Sequence, residues 1–298
     1  MARTPARPDP IRLKKLQRSV LKFYATRRRD LPWRHTRDPY RILVSEIMLQ
    51  QTQVDRVIPK YRKFLAIFPT MRSLAKARFG RVLRIWLGLG YNSRALRLWK
   101  CARAVVRDGG GRLPRDQHEL QQLPGLGPYT ASALLSFAFG AQVPVVDTNV
   151  RRVLVRTLTG RDHAAPPRVA ALARAALPRG QSSQWAQALM DVGALFCKST
   201  PKCTLCPARL GCAYAKRVSI KRTSPHARTP FVGSNRFYRG RIMRELCTRR
   251  SADLAAIGRQ VKENFEARDA AWLDDILQGL QRDGLVVVDR SRQRVRLA

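Results

Sequence analysis

The sequence predicts a mainly helical protein that ends in a small domain of helices and a hairpin. Apolar residues recur at helical spacing from residue 11 to about residue 196, and prolines and glycines divide these stretches at short intervals. Strand-like alternation occurs only after residue 280. A chain of 298 residues has room for about two domains. We expect a helical domain over residues 11–215, a linker over 216–232 and a C-terminal domain over 233–298.

The helical domain begins with a basic helix over residues 11–29, which ends before Leu31-Pro32. The next helix, 42–49, is apolar apart from one acid, Glu46. Further amphipathic helices are predicted at 57–68, 79–86, 93–106, 117–123, 129–139, 149–157, 168–177 and 184–196. The breaks between these helices contain proline or glycine, which is typical of short connections.

The C-terminal domain follows a basic, polar stretch that contains Ser224-Pro225 and Thr229-Pro230. Helices are predicted at 237–247, 254–263 and 271–282, and the segments LVVVD and RVRL then form a hairpin across RSRQ. Three helices followed by a hairpin are typical of a winged-helix domain.

The charge balance indicates a polyanionic partner. The chain has 58 Lys and Arg against 20 Asp and Glu, a formal net charge of +38. Nucleic acid suits such a charge through counterion release, and an anionic membrane surface is the alternative. The longest uncharged stretch, 120–146, is divided by three prolines, so it cannot form one membrane-spanning helix. The N-terminus lacks the apolar run of a secretory signal, and we expect a cytoplasmic, nucleoid-associated protein that is not secreted.

Four of the six cysteines lie within sixteen residues, at Cys197, Cys203, Cys206 and Cys212. In a reducing compartment such a cluster favours metal ligation over disulfides. Ligation by four thiolates fits either an iron-sulfur cluster or zinc.

A turn and a pair of acids carry the predicted chemistry. In LPGLGPYTA (123–131), Gly125 and Gly127 can expose backbone N–H groups that bind a DNA phosphate, although a plain interhelical turn would look the same. Asp147 precedes a helix and can be a simple N-cap. Cleavage of a glycosidic bond needs a proton donor and a carboxylate that stabilises the sugar cation, and Glu46 and Asp147 can form that pair.

Four motifs and the cysteines occur in an order that resembles one family. They are SEIMLQQTQV (45–54), WLGLGYNSRA (86–95), LPGLGPYTA and VVDTNVRRVL (145–154). The chain resembles the helix-hairpin-helix (HhH-GPD) base-excision DNA glycosylases over residues 20–215, most of all the MutY family of adenine DNA glycosylases. This resemblance implies an all-α, two-lobed helix-hairpin-helix fold with an iron-sulfur loop at 197–212.

The resemblance also implies roles for single residues. Glu46 corresponds to the acid that protonates adenine, and Asp147 to the carboxylate that stabilises the sugar cation. Tyr129 stands where lyase relatives carry a lysine, so Schiff-base chemistry should be absent and the enzyme monofunctional. Other positions match residues that line or read the extruded base (Trp33, Arg34, Leu49, Asp191) or that enter the base stack beside the opposite base (Gln51, Tyr91). Core packing or helix capping is the alternative for Trp33, Leu49 and Asp191.

The cysteines resemble a [4Fe-4S] loop, although the first interval, KSTPK, has five residues where the family usually has six. The resemblance implies that the cluster orders the basic residues Lys198, Lys202 and Arg209 against DNA. Zinc remains the alternative cofactor.

The expected activity is excision of adenine opposite guanine or 8-oxoguanine in double-stranded DNA, by a monomer. Typical MutY proteins carry a Nudix-like C-terminal domain that helps to identify 8-oxoguanine, and this chain has the winged-helix-like domain instead. A thymine or uracil glycosylase acting on T·G or U·G mismatches is the main alternative, because such a relative shares PWRHTRDPY (32–40) and the tyrosine at 129. Gln50-Gln51 favours adenine. A non-catalytic iron-sulfur DNA-binding protein is disfavoured because both acids are present.

Overall fold

A computed structural model describes residues 9–215, 230–249 and 251–298. Most of the predicted linker, 216–232, therefore lies outside the described residues. The helices in these ranges are α1 (Pro10–Arg27), α2 (Pro39–Leu49), α3 (Val54–Ile67), α4 (Met71–Lys76), α5 (Phe79–Trp86), α6 (Ser93–Asp108), α7 (Gln117–Gln122), α8 (Pro128–Phe137), α9 (Thr148–Thr159), α10 (Pro166–Ala175), α11 (Ser182–Leu195), α12 (Asn235–Thr248), α13 (Leu254–Val261) and α14 (Ala270–Arg282). The strands are β1 (Ser251–Asp253), β2 (Val286–Asp289) and β3 (Arg294–Leu297).

The predicted fold class is confirmed. Every helix predicted from the sequence is present, with ends that differ by a few residues. Two elements were not predicted. The helix α4 begins at a capping box in which Thr70 and Ser73 exchange side-chain and backbone hydrogen bonds. The expectation of no strand before residue 280 is wrong at β1, a strand of three residues that is too short for a periodic signal.

The described residues form two compact units. The first comprises residues 9–42, 115–121 and 126–215. Its core lies where α1 packs on α11, α11 on α9, and α9 on α10. Leu16 and Val20 of α1, Val153 of α9 and Leu189 of α11 are at most 1% exposed and belong to one apolar cluster. Burial of each such side chain stabilises the fold by about 1.5–3 kcal/mol.

The second unit comprises residues 43–114, 122–125, 230–249 and 251–298. Helix α6 packs against α4 and α5, and α3 packs against α5. Phe64 and Trp86 are completely buried there, with ring centroids 6.2 Å apart in an edge-to-face arrangement. The C-terminal helix α12 packs on α5, where Arg84 donates a hydrogen bond to the carbonyl of Cys247 at 3.0 Å.

The C-terminal elements have the order expected of a winged-helix domain. Strands β1 and β2 flank β3 in an antiparallel sheet, with Val295 opposite both Ala252 and Val288. Val286 and Val295 are at most 2% exposed, and α14 packs against β2. The missed strand β1 therefore completes a three-stranded sheet rather than a simple hairpin.

Candidate active site

Glu46 lies in the interior of α2, where residues 42–48 are all buried. The Glu46 residue is 6% exposed. The one acid of this apolar helix is therefore held in the interior of the second unit rather than on its surface.

Asp147 is the N-cap of α9, as the simpler interpretation of the sequence predicted. Its Oδ1 accepts a hydrogen bond from the Val150 amide at 2.7 Å, and its Oδ2 accepts one from Asn149 Nδ2 at 2.9 Å. These bonds fix the carboxylate at the positive end of the helix dipole. The residue remains half-buried rather than enclosed, so capping does not exclude a catalytic role.

A chain of hydrogen bonds connects Asp147 to the start of the cysteine segment. Asn149 Oδ1 accepts from Arg152 Nη2 at 2.8 Å, and Arg152 Nε donates to the carbonyl of Cys197 at 2.5 Å. Gly193 of α11 allows this close packing, because a Cβ there would lie 2.5 Å from the Cβ of Asn149. Hydrogen bonds thus connect the Asp147 carboxylate to the backbone of Cys197.

Gln51 and Tyr91, the two residues predicted to enter the base stack, share an unusual backbone. Their φ angles are 53° and 48°, in the left-handed region that residues other than glycine rarely occupy. Both residues are exposed. Left-handed non-glycine residues cluster at functional sites, where the surrounding structure holds them in place.

Arg94, which sequence reasoning did not single out, binds both the loop that contains Gln51 and the loop that contains Tyr91. Its guanidinium donates to the carbonyls of Ile47 and Met48 at the end of α2, and to Leu89 and Gly90 before Tyr91. It also donates to Gln50 and Thr52, the neighbours of Gln51. The residue is 5% exposed, and burial lowers its pKa to about 10. Arg94 lies in the quoted motif WLGLGYNSRA, but an arginine in a polar stretch gives no signal of burial.

Asp191, predicted to read the extruded base, is completely buried in an ion pair. Arg34 binds its carboxylate in bidentate fashion at 2.7 and 2.9 Å, and Arg29 Nε lies 2.5 Å away. Burial raises the pKa of Asp191, but the hydrogen bonds and charges of Arg34 and Arg29 outweigh it and hold the pKa below its usual range. The carboxylate therefore positions Arg34 rather than facing solvent, and any contact with a base is indirect.

The other two residues predicted at the base pocket differ in burial. Trp33 is 8% exposed, which agrees with the core-packing alternative, whereas Leu49 is half-buried at the end of α2. Their contact with a base stays a prediction.

The hairpin between α7 and α8 has the predicted backbone. Gly125 has φ +85°, and a Cβ there would lie 2.8 Å from the Cβ of Arg97, so the position requires glycine. Gly127 is exposed and directly precedes α8, in which Tyr129 is the second residue. An open helix N-terminus after a glycine turn is a suitable site for a phosphate.

The four cysteines line one cavity together with Arg156 and Tyr214. Burial raises the pKa of Cys206 to about 12, and it also raises the pKa values of Cys203 and Cys212. Arg156 approaches Cys197 Sγ at 3.6 Å and lies over the Tyr214 ring at 4.7 Å. Four thiolates around one cavity would repel one another unless a metal centre supplied positive charge. No described group of three His, Cys, Asp or Glu side chains is placed to hold a metal ion.

Comparison with known proteins decides the family. The profile of the HhH-GPD superfamily of base excision DNA repair proteins matches residues 44–179. The adenine DNA glycosylase of Mycobacterium tuberculosis is 40% identical over 87% of this chain and 84% of its own length. The chain belongs to the HhH-GPD superfamily of base excision DNA repair proteins. It is therefore a DNA glycosylase, an enzyme of the hydrolase class.

Two further proteins show how far the similarity to this HhH-GPD chain extends. The adenine DNA glycosylase of Mycolicibacterium smegmatis is 37% identical over 90% of this chain and 91% of its own length. A solved thermostable thymine-DNA glycosylase is 34% identical, with a TM-score of 0.64, and covers 70% of this chain and 98% of its own. Within the described part of this HhH-GPD chain, no helix has the length and apolar character needed to cross a bilayer.

Proposed function

We propose that this glycosylase hydrolyses the N-glycosidic bond of adenine mispaired with guanine or 8-oxoguanine and leaves an abasic site. One observation carries the choice of adenine: similarity to the adenine DNA glycosylases covers up to 90% of this chain, so it extends well into the C-terminal domain. The thymine-DNA glycosylase corresponds to only 70% of the chain.

The proposed reaction uses two carboxyl groups with different environments. Glu46, buried on α2, donates a proton to the adenine ring and makes it a better leaving group. Asp147, the N-cap of α9, stabilises the positive charge that develops on the sugar. The bond between the sugar C1′ and adenine breaks, water adds to C1′, and the proton that this water loses passes to the Asp147 carboxylate or to solvent. Tyr129 supplies no amine, so no Schiff base forms and the strand is not cut.

Adenine must leave the duplex to reach these groups, and unstacking costs a few kcal/mol. Gln51 and Tyr91 are exposed on rigid loops, where they can occupy the gap and offset part of that cost. Arg34, held by Asp191, is one proposed base contact, and Trp33 and Leu49 are the others. Gly125 and Gly127 are the proposed phosphate contacts.

The proposed cofactor is a [4Fe-4S] cluster bound by Cys197, Cys203, Cys206 and Cys212. Four cysteines that line one cavity can ligate either group, and the resemblance to the family's [4Fe-4S] loop favours the cluster over zinc. The cluster would supply the positive charge that holds four thiolates together, and it would order the exposed residues Lys198, Lys202 and Arg209 for DNA contact. Iron and sulfide analysis of the purified protein tests this assignment, and zinc without iron would refute it.

Thymine excision is the second candidate, because the thymine-DNA glycosylase is 34% identical. One panel of duplexes separates the two: A·8-oxoG, A·G, A·C, T·G and U·G, each assayed with and without alkali. Adenine release from the first two, with strand breaks only after alkali, is the expected result. Release of thymine or uracil alone would contradict the choice of base. We further propose a monomer acting on duplex DNA in the cytoplasm, associated with the nucleoid.

A further inference from the structure

Tyr91 contacts a residue of the C-terminal domain, and both residues belong to the second unit. Arg236, the second residue of α12, donates from Nη1 to the Tyr91 hydroxyl at 2.8 Å. Its guanidinium carbon also lies 4.8 Å from the centroid of the Tyr91 ring. The same arginine thus fixes both the ring and the hydroxyl of Tyr91.

The orientation of Tyr91 depends on such partners because its own backbone is strained. The residue is left-handed, with φ 48°, and it is 38% exposed. The guanidinium carbon of Arg94, a residue of α6, lies 5.5 Å from the centroid of the Tyr91 ring and gives it a first support. Arg236 provides the second support, and it comes from a segment 145 residues away in the sequence.

The surface around Arg236 is aromatic as well as basic. Its guanidinium lies 5.4 Å from the ring of Phe231, which is 55% exposed, and Val232 beside it is 73% exposed. Phe231 in turn meets Phe237 edge to face at 5.8 Å. Exposed aromatic rings interleaved with guanidinium groups are typical of surfaces on which nucleic-acid bases stack.

We propose that Arg236 is a positioning residue through which the C-terminal domain sets discrimination of the base opposite the excised adenine. The inference rests on the proposed function and adds to it. The Tyr91 hydroxyl accepts a hydrogen bond from Arg236 and therefore keeps its own hydrogen for an acceptor. Such a donor favours a purine with a carbonyl oxygen, guanine or 8-oxoguanine, over cytosine, whose corresponding group is an amine.

A double-mutant cycle tests this role. Excision rates in single turnover are measured on A·8-oxoG and A·C duplexes for the wild type, Arg236→Ala, Tyr91→Phe and the double variant. We expect each single change to lower the ratio of the two rates by about two- to tenfold. The double variant should lose no more than the larger single effect, because Arg236 acts through Tyr91.

Arg239→Ala is the matched control. Arg239 lies on the same helix and pairs with Asp283 inside the C-terminal domain, so its loss removes one charge without touching Tyr91. The rate ratio should remain that of the wild type. Additive losses in the cycle, or an equal loss in Arg239→Ala, would overturn the proposal and indicate a general electrostatic effect. If the wild type excises no adenine, the proposed function fails. The coupling between Arg236 and Tyr91 can then still be measured, from the Kd values of the same four proteins for these duplexes.

Discussion

At the scale of single residues, the predicted base contact Arg34 depends on a buried carboxylate with two charged partners. Asp191 is completely buried, yet Arg34 and Arg29 satisfy both of its oxygens. A buried ion pair is costly to break, because the remaining partner is left charged without compensation. The predicted base contact Arg34 is therefore held in place by the completely buried Asp191.

Replacement of Asp191 by Asn should lower the free energy of unfolding at pH 7 by about 3–5 kcal/mol. The folded-state pKa of Asp191 is lowered, so its contribution is complete above the unfolded pKa of about 3.9 and is lost as the pH falls through the folded value. Denaturant unfolding of both proteins at pH 7 and pH 3 measures the difference. The difference in free energy of unfolding between the two proteins should be smaller at pH 3 than at pH 7. A difference equally large at both pH values would contradict the ion-pair account.

Glu46 and Asp147 were predicted from the sequence as catalytic candidates, whereas the contacts that Arg94 and Asp191 make with other predicted site residues and their loops were not. Glu46 stood out as the one acid in an apolar helix, and Asp147 as an acid before a helix. Arg94 binds Ile47, Met48 and Thr52, which are 42 to 47 residues away in the sequence, and Asp191 binds Arg29 and Arg34, which are 162 and 157 residues away. Local periodicity carries no information about such pairs, and only the folded chain reveals them.

At the scale of elements, Arg94 joins the end of α2 to the loop before α6. Its donors satisfy carbonyls that the end of a helix leaves without partners. The two left-handed residues Gln51 and Tyr91 lie in the loops that it holds. One guanidinium thus organises both sides of the predicted base-stack insertion.

Arg94→Lys should free both loops, because an ammonium group has three donors and cannot span six carbonyl and hydroxyl oxygens. We expect a loss of about 2–4 kcal/mol in the free energy of unfolding and faster amide exchange in residues 50–52 and 88–91. Arg103→Lys is the control, since Arg103 is exposed on the same helix. Unchanged exchange in both loops would contradict the role of Arg94.

The sequence predicted elements with a clear period and missed the shortest ones. Helix α5 was predicted with its observed ends, because Phe79, Val82, Leu83 and Trp86 repeat at helical spacing. Helix α4 has six residues, and β1 has three, so each contains fewer than two repeats of its period. Strand β1 exists because β3 offers a free edge, which is a property of the assembled sheet.

At the scale of the whole molecule, the C-terminal domain is packed against α5 in the second unit. A Cβ at Gly80 would lie 3.3 Å from Leu297, and Arg84 donates to the Cys247 carbonyl. Cys247 is 4% exposed, and burial raises its pKa to about 11. This thiol is therefore a natural reporter of the packing.

Arg84→Ala should make Cys247 accessible to alkylation, because it removes the hydrogen bond at the end of α12. Native protein is treated with iodoacetamide at pH 8, and labelled peptides are identified by mass spectrometry. Cys101 is the internal control: it is completely buried, with its pKa raised to about 12, and should stay unlabelled in both proteins. Equal labelling of Cys247 in wild type and variant would contradict this packing.

The net charge of +38 makes a second prediction at this scale. Binding to undamaged duplex should depend on phosphate contacts and counterion release, so log K should fall linearly with log salt. Fluorescence anisotropy between 50 and 200 mM salt, roughly the range over which such contacts lose most of their affinity, measures the slope. A flat response would exclude the basic surface as a general DNA contact.

The central claim is that Glu46 and Asp147 carry out base excision, and single-turnover release of adenine from an A·8-oxoG duplex tests it most directly. Glu46→Gln keeps the size of the side chain, and Asp147→Asn keeps a good N-cap for α9. We predict that each variant binds the duplex with nearly the wild-type Kd but releases adenine about 100- to 10,000-fold more slowly. Rates within a few-fold of the wild type in both variants would contradict the account.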